Sequence, residues 1–129
     1  LRYVNIFSRA RLGIEDSKWA NLFSDAYTGP LQEEDVNEAD CMLCSTDLQI
    51  KLDSSCMAKV HAGPGRMKPQ PNAPQDNEVK FILDMDVSMN GNVQPNFAAG
   101  AMETVHAHAT RLFEGAITDT LRNAMSPEA

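Results

Sequence analysis

The sequence predicts an α+β domain, an antiparallel sheet followed by two C-terminal α-helices, on three observations. In residues 79–89 every second side chain is apolar and those between are polar except Ile82, the period-two signature of a strand with one buried face. Leu48, Ile50 and Leu52, then Cys56, Ala58 and Val60, repeat that alternation on either side of Asp53-Ser54-Ser55, which reads as a hairpin. From Asn96 onward the apolar period lengthens to that of a helix. At 129 residues a single domain, 1–129, is expected, with the sheet over about 1–90 and helices over about 96–114 and 116–125.

Along the chain, residues 3–14 mix β-branched, aromatic and aliphatic side chains and are expected to form two short strands meeting near Ser8 and Arg9. Residues 17–27 place Trp19, Leu22 and Phe23 at helical spacing yet fit a short edge strand equally well. Thr28-Gly29-Pro30 breaks the chain, and the acidic residues Glu33, Glu34, Asp35, Glu38 and Asp40 that follow read as a loop or a short exposed helix. Four prolines and two glycines between Ala62 and Asn77 predict a loop, because proline lacks the ladder donor. Asn90-Gly91-Asn92 is expected to end the long strand, and Asn96 to cap the first helix. On the helices Met102, Val105, Ala109, Leu112, Ala116 and Leu121 form one stripe, widened by Phe113 and Ile117. Gly115 lies inside it and lowers helix propensity by about 1 kcal/mol relative to Ala, so a bend or break is expected there.

Eighteen acidic against 11 basic residues give a formal charge of −7, which argues against a fold-wide attraction for nucleic acid and leaves room only for a local contact. No apolar run approaches a membrane span, and Arg2, Arg9 and Arg11 interrupt the start, so neither a membrane segment nor a secretory signal is expected. Three cysteines, an odd number, do not suit a secreted disulfide framework.

Each candidate site has a simpler counterpart. Cys41, Cys44, Cys56 and His61 supply four zinc-type ligands, but Cys56 and His61 are five positions apart and point to opposite faces of one strand. Free thiols packed as small hydrophobes are the expectation, with no metal and no cofactor. His106 and His108 diverge on the helix and read as surface histidines. Asp84 and Asp86 share a strand face, which suits paired-carboxylate chemistry but is met more often as a solvated face. No G-x-S-x-G, H-E-x-x-H, phosphate-binding or dinucleotide motif is present, so an enzyme is not expected.

The element order taken together resembles the coat protein of single-stranded RNA bacteriophages, the levivirus type. The resemblance is architectural, carries no diagnostic motif, and is strongest from Asp47 to Met125. It implies an obligate homodimer whose helices pack on the partner subunit's sheet, assembling in a host cytoplasm into a virion shell around single-stranded RNA. The dimer interface would then use Met102, Val105, Leu112, Phe113, Ile117 and Leu121, and RNA would meet Gln49, Lys51, Lys59, His61, Lys80 and Ser88 on the polar sheet face. Asp84 and Asp86 share that face and oppose specific RNA recognition more than shell formation. The alternative from the residues alone is a small intracellular interaction or adaptor module, with or without zinc on Cys41, Cys44, Cys56 and His61. A small hydrolase or isomerase using Asp84 and Asp86 comes third.

Overall fold

The computed structural model describes residues 2–41, 43–66, 71, 77–89 and 98–125. Four strands, β1 (Arg2–Phe7), β2 (Thr46–Lys51), β3 (Cys56–Gly65) and β4 (Lys80–Met89), form one antiparallel sheet in the order β1-β4-β3-β2. The period-two alternation sorts the side chains as expected. Leu48 and Ile50, Cys56 to Ala62, and Phe81 to Val87 place their alternate apolar side chains on one face in mutual register. The β2–β3 turn is fixed by Asp53, whose Oδ1 accepts from the backbone N–H groups of Ser55 and Cys56 at 2.7 Å each. β3 is longer than its alternation predicts: it runs to Gly65, because Ala62 still pairs Leu83 and Pro64 sits opposite Phe81.

The expected N-terminal hairpin is not formed. After β1 the chain makes a helical turn, α1 (Arg9–Leu12). Ser8 caps it, accepting from the Arg11 N–H, and Gly13 closes it in the left-handed region at φ 71°. A capping serine before α1 and a terminating glycine after it outweigh the β-propensity of the segment. Short helical turns follow at Trp19–Asn21, α2 (Asp25–Thr28), Gly29–Gln32 and Glu38–Asp40, the last within the acidic stretch. They press Trp19, Leu22, Phe23, Tyr27 and Leu31 onto the apolar face, where the Phe23 ring stacks on Phe81 with centroids 3.7 Å apart. Arg9 lies over the Trp19 ring at 4.0 Å and pairs with Glu38, which ties α1 to the acidic turn.

The C-terminal helices are α3 (Ala98–Ala116) and α4 (Asp119–Met125); α3 ends two residues and α4 begins three residues later than expected, while α4 ends at the expected 125. Helix α3 continues one residue past Gly115 and ends at the buried Ala116, so the break expected at Gly115 falls two residues later. The chain turns instead at Ile117–Thr118, where Ser24 donates its N–H to the Ala116 carbonyl and Thr118 donates N–H and hydroxyl to the Leu22 carbonyl. The turn at 90–92, the cap at Asn96 and most of the proline-rich loop lie outside the described residues. Among the described residues all cover sits on one face of the sheet and the other face is open, so a single core lies between the sheet and one layer of helices and turns.

Candidate functional site

The open face is built by alternation alone. Each strand contributes every second side chain: Arg2, Val4 and Ile6 from β1; Asp47, Gln49 and Lys51 from β2; Met57, Lys59 and His61 from β3; Lys80, Ile82, Asp84, Asp86 and Ser88 from β4. All six residues expected to meet RNA therefore share this face. Their arrangement is dispersed. Lys51 stands level with Met57 and Ser88 at one end, and Lys80 with Gly65 at the other, about 27 Å apart along β4.

Carboxylates interleave with the cations. His61 Nδ1 lies 2.7 Å from Asp47 Oδ1, and its other cross-strand neighbour is Asp84. Lys59 sits between Gln49 and Asp86. Arg2, which no sequence pattern singles out, grips Asp84 with Nε and Nη2 at 3.1 and 2.7 Å. That bidentate hydrogen bond, aided by its charge, holds Asp84 below the usual carboxylate range despite partial burial. Asp84 is thus held as an anion paired with Arg2. A shallow groove lined by Arg2, Gln49, Lys59, His61, Asp84 and Asp86 marks the centre of this face.

Cys41, Cys44, Cys56 and His61, the four zinc-type residues weighed in the sequence, do not converge on one point. Cys56 is 1% exposed on the apolar face, whereas His61 is on the open one, as their five-residue spacing requires. Cys41 and Cys44 lie before β2, with Cys44 Sγ directed at the Thr28 carbonyl. Burial, and then its neighbour Cys41, push the Cys44 thiol up, the behaviour of a packed thiol. Instead Cys56 meets Asp53 and His108, one donor atom of each lying within 4.8 Å of the others. His108 Nε2 is 2.8 Å from Asp53 Oδ2, and Arg111 Nη2 is 2.7 Å from His108 Nδ1. No local spacing signals this group, since His108 arrives from a distant helix. Its neighbour His106 is exposed and shares a hydrogen bond with the Tyr3 hydroxyl at 3.1 Å.

On the helical stripe, Val105, Ile117 and Leu121 are buried against the chain's own sheet and turns, Leu112 and Phe113 are half-buried, and Met102 is 52% exposed. A groove of about 380 Å³ between β1 and the helices is lined by Tyr3, Met85, His106, Phe113, Ile117 and Met125. No helix among the described residues is long and apolar enough to cross a membrane. Compared with protein families, curated proteins and solved structures, the chain matches none of them.

Proposed function

We propose that this chain is a shell-forming coat subunit of the kind made by single-stranded RNA bacteriophages: a non-enzymatic protein that dimerises obligately and encloses RNA. The observation that carries this reading is the one-sided architecture. An antiparallel sheet with a hairpin, a long strand and two terminal helices in that order keeps its apolar face covered and leaves its polar face bare. A bare face suits an inner wall. Among the described residues no strand pairs with the outer edges of β1 and β2, and Val4, Ile6 and Met102 are exposed at 52%, 44% and 52%.

The dimer interface is proposed to arise by exchange of the helices. Val105, Ile117 and Leu121 would then make on a partner's sheet the contacts that the single chain makes on its own, since exchanging an identical element leaves the contacts unchanged. Lys51, Lys59 and Lys80 are the proposed phosphate contacts, with Gln49, His61 and Ser88 as polar neighbours.

Size-exclusion chromatography with light scattering, together with electron microscopy, tests the reading. Megadalton particles, or dimers on disassembly, are expected; a stable monomer at micromolar concentration would overturn it.

A further inference from the structure

Asp53, Cys56 and His108 are the one mixed group of metal-ligating side chains that converges among the described residues. We propose that they form a site for a single divalent cation of the zinc class, bound through Asp53 Oδ2, Cys56 Sγ and His108 Nε2, with a further coordination position left open.

The donor set selects the ion. One thiol, one imidazole and one carboxylate suit a borderline cation, and three protein ligands with one open position are a familiar four-coordinate arrangement. Magnesium and calcium call for several oxygen ligands, and the only one this cluster offers is the Asp53 carboxylate. Metal–ligand bonds of roughly 2.0–2.3 Å in a tetrahedron place donor atoms roughly 3.3–3.8 Å apart. Here His108 Nε2 and Asp53 Oδ2 are 2.8 Å apart, and one donor atom from each of the three residues lies within 4.8 Å of the others. Adjustments of about an ångström, well within side-chain rotation, close the site.

The ligands are held before any ion arrives. Asp53 spends Oδ1 on the N–H groups of Ser55 and Cys56, which leaves Oδ2 aimed at His108. Cys56 opens a central strand, and the His108 side chain is only 11% exposed on α3. Beside it, a cleft of about 250 Å³ lined by Leu52, His108, Arg111 and Leu112 offers the open position.

The charges also close. On binding, the thiol releases one proton to solvent and its sulfur bonds the ion. Thiolate, carboxylate and dication then sum to zero, so the cost of a buried thiolate is removed. The same three residues could suggest a nucleophilic triad. That reading fails because Cys56 is 1% exposed and both His108 ring nitrogens already face other partners.

Arg111 supplies a discriminating consequence. With Nε2 on the ion, the ring proton of His108 must sit on Nδ1, where Arg111 now donates at 2.7 Å. The exposed guanidinium therefore opposes binding, and its removal should strengthen it.

The test is titration of chelator-stripped protein with Co²⁺, followed by displacement with Zn²⁺. One cobalt per chain is expected, with a near-ultraviolet thiolate-to-cobalt charge-transfer band and the intense visible bands of a four-coordinate ion. His108→Gln and Cys56→Ala should lose the charge-transfer band, the Cys41→Ser/Cys44→Ser double variant should retain it, and Arg111→Ala should tighten binding on the order of tenfold. Circular dichroism checks the fold of each; if Cys56→Ala does not fold, the cysteine double variant and His108→Gln decide. Absence of the band, a band lost with Cys41 and Cys44, or affinity unchanged by His108→Gln would overturn the proposal. Ion binding and particle size are separate measurements, so this site stands or falls independently of the shell reading.

Discussion

Leu121→Ala tests whether the terminal helices are structural cover or decoration. Leu121 is fully buried, packed in the cluster that includes Phe23, Phe81 and Ile117. The substitution deletes three buried carbons, about 2.4 kcal/mol at ~0.8 kcal/mol each, before any cavity term. Neighbours fixed on a sheet cannot fully collapse, which brings the expected loss to about 3–4 kcal/mol, inside the range of roughly 2–5 kcal/mol for buried leucines. For a domain of this size that lowers Tm by about 10–15 °C. Leu112 is half-buried at the junction of the two core clusters, so Leu112→Ala should cost less, about 1–2 kcal/mol. Urea unfolding followed by the single tryptophan, Trp19, reports both, because Trp19 is itself 1% exposed in the affected cluster. If Leu112→Ala proved the more damaging, or Leu121→Ala cost under ~1 kcal/mol, this packing would be refuted. Helix exchange adds a second readout: the loss should then grow as subunit concentration falls.

Three further outcomes are expected. Gly63→Ala should lose about 1–3 kcal/mol in the same urea assay, because its new Cβ would lie 2.3 Å from the Cys44 carbonyl oxygen and 3.0 Å from Ser45 Cα, both backbone atoms that cannot swing aside. For the Arg2–Asp84 pair, Asp84 titrates lower in the folded chain than its ordinary 3.8, so the pair's contribution is complete above that value and fades as pH falls below it. The stability difference between the parent and Arg2→Gln, measured by urea midpoint, should therefore be constant from about pH 7 to about pH 5 and shrink in more acid solution. The triple change of Lys51, Lys59 and Lys80 to Gln should leave Tm within a few degrees, since Lys51 and Lys59 are exposed, where polar swaps cost within ~0.5 kcal/mol, and Lys80 is half-exposed, while the 260/280 nm absorbance ratio of purified particles falls. An unchanged ratio would remove the sheet face as the RNA contact.

Legibility follows the range of the interactions. The strands β2, β3 and β4 are readable because alternation is local, and alternation by itself assigns Gln49, Lys51, Lys59, His61, Lys80 and Ser88 to one face. The turn at Asp53 is readable for the same reason. The segment after β1 is not, because Ser8 and Gly13 decide it as caps while Ile6, Phe7 and Ile14 advertise a strand. Gly115 places the break between the helices to within two residues, since α3 ends at the buried Ala116 and the chain turns at Ile117–Thr118. What no local pattern carries are pairings between distant positions: Phe23 on Phe81, Arg2 on Asp84, and His108 on Asp53.

The charge pattern bears on how a face such as this one would hold RNA. An acidic chain of net charge −7 presents lysines spread over about 27 Å, with Lys59 opposite Asp86 and His61 against Asp47. Each exposed contact is weak, typically under ~1 kcal/mol, and the carboxylates subtract from it. One chain therefore gains little by meeting one strand of RNA. Many copies fixed on a common wall meet the same strand repeatedly, and linked weak contacts multiply into avidity without any new interaction. On the proposed reading, retention of RNA is then a property of the assembled wall, and dispersed, partly neutralised lysines suffice where a compact basic patch would be needed for a lone subunit.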